Sequence, residues 1–168
     1  MTTQKSDSNQ LQLADFLPYK LSILANRISY AIAEAYSSRF HLTIPAWRVM
    51  AVLGLEDNLT AADLVSRTAM DKVAISRAVA SLLDMACIHR ELDEEDRRRS
   101  LLTLTEKGRD IYQRIIPLAR RYEQDLLSQL SEEDQQALKS ITNKLMKRVN
   151  QWEKQNVNPA SLQETQDV

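Results

Sequence analysis

A run of seven charged residues in the middle of the chain separates two short segments in which apolar and polar residues alternate. The run covers residues 93–99 with the sequence DEEDRRR, and the alternating segments are residues 88–92 and 101–104. Alternation with a period of two is typical of a half-buried strand. The sequence therefore predicts a β-hairpin with a charged tip, and Thr105 is predicted to end the second strand and cap a helix.

The tip of this hairpin carries three consecutive arginines, Arg97, Arg98 and Arg99. A projecting element with that charge can reach into a nucleic-acid groove. The alternative is a solvated charged turn, because most charge runs only face water. The residues that precede the hairpin decide between these two interpretations.

Composition predicts that the rest of the chain is mostly helical. The 168 residues include only two glycines and four prolines, and 43% are hydrophobic, enough for one domain or for a small domain with dimerisation helices. Long stretches rich in Leu, Ala, Glu, Gln and Arg favour helix, so strand is expected only in the hairpin. Residues 1–12 and 154–168 are polar and are predicted to be disordered tails.

Several classes of protein are not expected from this sequence. No apolar run approaches the roughly 18 residues of a membrane helix, and the N-terminus lacks an apolar signal segment, so a cytoplasmic protein is expected. No phosphate-cradling loop and no Ser/His/Asp or Cys/His constellation is evident, so neither a catalytic residue nor a cofactor is expected. A metal site is not expected, because Cys87 is the only cysteine and His41 and His89 are far apart in the sequence.

Two helices are predicted before the central part of the chain. The first runs from residue 15 to about residue 40, with Pro18 in its first turn and apolar residues at three- and four-residue spacing. Those apolar residues are Leu17, Leu21, Leu24, Ile28, Ile32 and Tyr36. The second helix follows the capping residue Thr43, has Pro45 in its first turn, and loosens at Gly54.

The next two predicted helices are short and are joined by a turn of three residues. Thr60 with Asp63 resembles a capping box and starts the first of them, which ends near Arg67. Asp71 caps the second, which runs to about Met85. Two short helices joined in this way form a helix-turn-helix, whose second helix enters the major groove of DNA.

The two faces of that second helix differ in character. The face predicted to be buried consists of Ile75, Val79, Leu82, Leu83 and Ala86. The exposed face consists of Lys72, Val73, Ser76, Arg77 and Ala80. Arg77 can donate two hydrogen bonds to guanine, Ser76 can bond a base edge or a phosphate, and Lys72 suits a phosphate. Val73 or Ala74 can contact a thymine methyl group. The alternative is an ordinary amphipathic surface helix.

Charge placement has to carry any argument for DNA binding. The net charge is −1, and residues 60–109 contain nine positive and nine negative side chains. Such a balance argues against a protein that coats nucleic acid without specificity. The helix-turn-helix and the arginine-rich hairpin together favour a more local interface.

The order of these elements resembles the winged helix-turn-helix of the MarR family of bacterial transcription regulators. The helix-turn-helix is followed by Ile-His-Arg at residues 88–90, by D-x-x-D-R-R at residues 93–98 and by L-T-E-K-G at residues 104–108, with the spacing of the family. The resemblance spans about residues 15–150. It implies a dimeric repressor, or less often an activator, whose recognition helices occupy successive major grooves of a pseudo-palindrome while the wings probe the flanking minor grooves.

By position, the resemblance implies that Arg98 enters the minor groove and that Asp96 holds its guanidinium in place. Arg97 can take either part, and Arg99 belongs to the same basic tip. An arginine that is oriented in advance loses less side-chain entropy in a narrow groove. Where the family usually has a Lys-Gly pair after the recognition helix, residues 85–87 are Met-Ala-Cys, which argues against a left-handed turn there.

The last third of the chain is predicted to serve assembly. One apolar stripe consists of Ile111, Ile115, Leu118, Tyr122, Leu126, Leu127 and Leu130, on a helix that Pro117 should kink. A last helix, capped at Ser131, carries Leu138, Ile141, Leu145, Val149 and Trp152. The family resemblance supplies a second copy as the partner of these stripes, and an intramolecular bundle is the alternative. Residues 13–42 and 106–153 are thus expected to form a dimerisation region around a DNA-binding domain at residues 43–105.

A regulator of this family also responds to a signal, and the resemblance implies that the signal is a small ligand, often an aromatic acid or a phenol. Ser22, Asn26 and Ser29 form a polar strip on the first helix, while Trp47 and Arg48 lie on the second. An arginine can bind a carboxylate bidentately, and the hydroxyls can read a ring substituent. The segment at residues 43–48 is also similar to members that respond to aromatic carboxylates or their thioesters. The alternative is an exposed arginine with surface serines.

Two other functions remain open from the sequence. One is a helical protein-interaction adaptor that keeps a winged module without reading DNA. The other is a redox-responsive regulator acting through Cys87, as in some members of the family. Those members carry their reactive cysteine in the first helix, so a buried structural thiol is the favoured interpretation here.

Overall fold

The computed structural model describes residues 11–155, and the mostly helical fold with one hairpin is confirmed there. Its elements are α1 Leu17–Phe40, α2 Ile44–Leu53, α3 Ala61–Thr68, α4 Lys72–Asp84, β1 Ile88–Leu92, β2 Ser100–Leu104, α5 Glu106–Leu127 and α6 Glu132–Lys154. Of the two predicted tails, residues 1–10 and 156–168 lie outside the described range. No helix in that range is long and apolar enough to cross a membrane.

The chain divides into two compact units at Tyr122. The first unit contains the only hydrophobic core found within residues 11–155, and it lies between the helix-turn-helix and the hairpin. Its fully buried side chains include Tyr36, Leu42, Met50, Leu53, Leu64, Ile75, Leu82, Leu102 and Ile115. This core holds α4 and the hairpin in one rigid unit, which is what a groove-reading surface requires.

Helix starts follow the predicted capping residues. Thr43, Asp71 and Ser131 each accept a hydrogen bond from the backbone N–H three residues ahead. In the capping box of α3, the Thr60 N–H donates to Asp63 Oδ2 at 2.9 Å, and the Asp63 N–H donates back to Thr60 Oγ1 at 3.2 Å. Hydrogen bonds from the Thr60 hydroxyl and backbone lower the pKa of the Asp63 carboxyl. Aspartate therefore replaces the usual glutamate here without loss of the motif.

The hairpin is antiparallel and has the predicted strands. Ile88 lies opposite Leu104, and Leu92 lies opposite Ser100. A further backbone pair, which sequence reasoning did not find, joins Leu59 to Leu102: the two residues exchange N–H···O hydrogen bonds of 3.2 and 2.8 Å. The middle of β2 is therefore fixed directly to Leu59, the residue that precedes the capping residue of α3.

The backbone after α4 differs from the prediction. Ala86 has φ 52°, so the left-handed turn that its sequence argued against is present. The Ala86 N–H donates to Leu83 O and the Cys87 N–H donates to Leu82 O, both at 2.8 Å, which is the Schellman pattern. These hydrogen bonds and the burial of Cys87 impose the turn although glycine is absent. Ala86 is consequently exposed, and its assignment to the buried stripe was wrong.

We expect Ala86→Gly to raise the free energy of unfolding by about 0.5–1 kcal/mol. Glycine removes the strain of the left-handed backbone, and this gain exceeds the cost of the greater conformational entropy that glycine gives the unfolded chain. Urea denaturation measures the change. The matched control is Ala80→Gly, at an exposed interior position of α4. That change should lower stability by about 0.5–1 kcal/mol. A loss of stability in both variants would contradict the assignment of strain to Ala86.

In the second unit, Ser131 caps α6 as predicted. No residue of α6 is buried, although its apolar positions recur on one side. In the first unit, the N-terminal half of α1 is likewise exposed, with Leu17, Leu21 and Leu24 about half accessible. Each unit therefore carries an apolar face that is exposed among residues 11–155. The helix α5 continues through Pro117.

Candidate nucleic-acid interface

The helix-turn-helix presents one side of α4 to solvent. Ala69 adopts a left-handed conformation between α3 and α4, and the Asp71 carboxylate accepts the Ala74 N–H at 2.8 Å, which sets the start of α4. The side chains that face solvent are Lys72, Val73, Ser76, Arg77 and Ala80, as predicted. Those that are buried are Ile75, Ala78, Val79 and Leu82, and Leu83 is half-buried. The exposed side thus joins two cations, a hydroxyl and an exposed valine.

An apolar groove of about 390 Å³ runs beside this exposed side. It is lined by Ala61, Ala62, Val65, Lys72, Ile75, Ser76, Val79 and Arg90. Arg90, on β1, was not assigned to the interface from the sequence, because it lines the same groove as Lys72 only through the packing of β1 against α4. It extends the positive charge from the recognition helix α4 toward the hairpin.

The tip of the hairpin is ordered by its aspartates. The Asp93 N–H donates to Arg99 O at 3.1 Å, and the Arg99 N–H donates to Asp96 O at 2.8 Å. Asp96 Oδ1 accepts the backbone N–H of Arg98 at 3.1 Å. The sequence predicted that Asp96 holds the guanidinium of Arg98, but within residues 11–155 the ion pair of the tip joins Asp93 to Arg99. Arg97 and Arg98 are exposed and make no ion pair in that range.

The L-T-E-K-G segment joins the start of α5 to the end of the recognition helix. Thr105 Oγ1 accepts the Gly108 N–H at 3.0 Å and donates to Ala86 O at 2.8 Å. The Lys107 ammonium donates to Met85 O at 2.7 Å, where the negative end of the α4 dipole favours a cation. A Cβ on Gly108 would lie 1.9 Å from Cys87 O, so the two backbones touch there.

A second group of side chains lies between α1, α2 and α5 of the first unit. The Arg48 guanidinium donates to Ser29 Oγ at 3.2 Å and makes no ion pair among the described residues. The Trp47 ring lies 5.6 Å from Tyr36 and 6.0 Å from Tyr112, measured between ring centroids. Burial raises the pKa of Tyr36, and the positive charge of Arg48 opposes that shift.

Only part of the predicted ligand site is brought together. Ser29, Trp47 and Arg48 share this region, whereas Ser22 and Asn26 are exposed and make no hydrogen bond to Arg48. Ser22 and Asn26 keep their helical spacing with Ser29 but lie in the half of α1 that the other described elements leave exposed, so their part in a ligand site stays a prediction. Tyr36 was predicted only as part of the apolar stripe of α1, and Tyr112 was not singled out from the sequence, yet both rings lie beside Trp47.

Cys87 is fully buried, and its thiol lies 3.7 Å from Met85 O. Burial raises the pKa of this thiol, and the charge of Lys107 only partly opposes that shift. A raised pKa lowers the thiolate fraction that an oxidant needs. The structural role favoured by the sequence therefore agrees with its surroundings.

An exposed recognition helix, packed on one core with a hairpin whose arginines face solvent, defines a winged helix-turn-helix protein. A family model described as MarR family matches residues 42–99, which cover the helix-turn-helix and most of the wing. The transcriptional regulator HosA of Escherichia coli O157:H7 is 26% identical over 105 residues, which are 62% of this chain and 78% of HosA.

Solved structures agree with this match. A MarR/EmrR family transcriptional regulator from Acinetobacter sp. ADP1 superposes with a TM-score of 0.76 at 26% identity, over 84% of this chain and 99% of that one. The PcaV transcriptional regulator from Streptomyces coelicolor, solved in complex with its natural ligand, gives a TM-score of 0.68 at 25% identity, over 84% and 96% of the two chains. Residues 42–99 thus match the MarR family of transcriptional regulators, and the described fold is similar to those of these two regulators.

Proposed function

We propose that this protein is a repressor that binds a pseudo-palindromic DNA operator as a homodimer. The observation that carries the proposal is the exposed side of α4, where Lys72, Ser76 and Arg77 face solvent. Lys72 and Ser76 also line one groove with Arg90 of the wing. Phosphate contacts from lysine and base contacts from arginine are the pairings that this geometry suits. The wing adds Arg97 and Arg98, whose side chains are exposed and make no ion pair within residues 11–155.

The uncovered apolar faces support a homodimer. Leu17, Leu21 and Leu24 are exposed in the first unit, and Leu138, Ile141, Leu145 and Val149 are exposed in the second. A helix of 23 residues with no buried side chain gains little stability from packing against the other described residues. A second copy offers the same faces by symmetry and places two recognition helices on one duplex.

Selection of DNA from a random pool by the purified protein tests this function. We expect a selected site with two half-sites about 34 Å apart, and an affinity that falls steeply with salt. Arg98→Ala should cost about 1–3 kcal/mol of binding free energy. An adaptor that does not read DNA would retard no fragment even at low salt, and that outcome would reject the proposal.

We further propose that a small aromatic carboxylate releases the operator by binding at Arg48. A half-buried guanidinium whose hydrogen-bond partner within residues 11–155 is a serine hydroxyl retains donors for a carboxylate. The Trp47 and Tyr36 rings offer an apolar, aromatic surface. PcaV, which is similar in fold and 25% identical, was solved in complex with its natural ligand. It is therefore a precedent for a ligand-binding regulator of this fold.

Calorimetry with benzoate-type and hydroxycinnamate-type acids tests the effector. We expect binding to the wild-type protein, and an affinity loss of about tenfold or more in Arg48→Ala, the loss typical of a charged hydrogen bond. Arg27→Ala, at an exposed position of α1, is the control and should bind like the wild type. Absence of binding by every acid, or equal binding by both variants, would overturn this assignment.

A further inference from the structure

The wing tip contains one carboxylate that is mostly shielded from water. The side chain of Asp93 is only 15% exposed, whereas residues 94–99 are all exposed. Its Oδ1 atom accepts the backbone N–H of Glu95 at 3.0 Å and that of Asp96 at 3.4 Å, and its Oδ2 atom lies 3.4 Å from the Arg99 guanidinium. One carboxylate therefore binds groups at both ends of the tip.

The D-x-x-D part of the signature forms two successive turns of the same kind. Asp93 accepts the N–H two residues ahead, and Asp96 does the same toward Arg98. At the first turn, the Asp93 N–H also donates a hydrogen bond to Arg99 O, and this bond closes the loop. The orientation of the peptide that carries Arg98 thus depends on Asp96, and the position of Asp96 depends on Asp93.

We infer that Asp93 is a positioning residue for DNA recognition: it neutralises Arg99 and fixes the tip backbone so that Arg97 and Arg98 alone are presented to the minor groove. This inference rests on the proposed DNA-binding function. An ordered tip does not have to lose its backbone freedom on binding, so the arginines it presents bind more tightly. The charge of Arg99 is directed to carboxylates of the protein itself, Asp93 in the tip and, at longer range, Asp63 on α3, so Arg99 contributes no phosphate contact of its own.

Removing the negative charge of Asp93 distinguishes this positioning role from a purely electrostatic one, because the two roles predict opposite changes in DNA affinity. If Asp93 were only a negative charge near phosphate, its removal would strengthen DNA binding. If it positions the tip, its removal weakens binding although repulsion is relieved. Asp93→Asn keeps an oxygen acceptor for the turn and loses the charge that pairs with Arg99, whereas Asp93→Ala loses both.

The experiment measures the affinity of the wild type and three variants for the selected operator over a range of salt concentrations. We expect Asp93→Ala to bind about tenfold more weakly and Asp93→Asn to lie between it and the wild type, as for a loop that must be ordered on binding. Glu94→Gln removes the same charge from an exposed side chain of the same tip and should bind at least as tightly as the wild type. Asp93 variants that bind as tightly as the wild type, or more tightly, would overturn the inference.

Two further measurements complete the test. Arg99→Gln should weaken DNA binding and leave the slope of log affinity against log salt unchanged. Arg98→Ala should reduce that slope by about one. Equal reductions of the slope in both variants would overturn the role given to Arg99. Heteronuclear NOE values at the Arg97 and Arg98 amides, measured without DNA, should fall in Asp93→Ala and not in Glu94→Gln. If the wild type bound no DNA, the proposed function would fail, and unchanged NOE values would separately show that Asp93 does not order the tip.

Discussion

Replacing Gly108 with alanine is expected to lower the free energy of unfolding by about 3 kcal/mol, the upper part of the range for an overpacked interior. The new Cβ would lie 1.9 Å from Cys87 O, which is a backbone atom and not the end of a flexible side chain, so the two backbones would have to move apart. Any shift that relieves this contact also lengthens the hydrogen bonds from Lys107 to Met85 O and from Thr105 to Ala86 O. The end of the recognition helix would then lose its attachment to α5.

Chemical denaturation of Gly108→Ala beside the wild type measures this loss. Gln113→Ala is a suitable control, because Gln113 is an exposed position of α5 at which alanine is well tolerated. We expect the control to change stability by less than about 0.5 kcal/mol. A Gly108→Ala protein that is as stable as this control would refute the close backbone contact.

Arg77→Ala is expected to weaken binding to the selected operator by about 1–3 kcal/mol, or roughly tenfold to more than a hundredfold, and to relax the preference at one base pair of each half-site. The reason is that an exposed arginine in the middle of α4 can donate two hydrogen bonds to a guanine edge. Loss of such a pair removes discrimination as well as affinity.

Competition between the selected operator and single-base variants measures both effects. Lys72→Ala is the matched comparison, because a lysine at the start of α4 suits a phosphate and should weaken all sequences alike. We expect only Arg77→Ala to change the rank order of the variants. If both substitutions reduced affinity uniformly, Arg77 would be a backbone contact and its proposed role in base recognition would be wrong.

Much of the fold was predictable because the signals are local. Thr43, Thr60, Asp71 and Ser131 bond to N–H groups three residues ahead, and the helices and strands follow the 3.6- and two-residue periods of their apolar side chains. The exposed side of the recognition helix follows from the same periodicity. A chain with these caps and periods has little choice about which residues of α4 face solvent.

Other features depend on contacts between residues that are distant in the sequence. Cys87 O excludes a side chain at Gly108, Leu59 pairs with Leu102, and the Trp47 ring lies beside Tyr112. Spacing within one element carries no information about such contacts, because they depend on how elements pack. The left-handed Ala86 was mispredicted for this reason: local preference favours glycine, and the packing of Cys87 overrides it.

In the charged hairpin of residues 88–104, some features follow from the sequence alone and others only from the tertiary structure. Its strands, and the exposure of Arg97 and Arg98, were set by alternation and charge in the sequence itself. The sequence did not determine which group each carboxylate binds, because seven adjacent charged residues allow many pairings. Only the closed loop, which brings Arg99 back beside Asp93, decides that this pair forms and that Asp96 binds backbone, because ion pairs depend on distance in space.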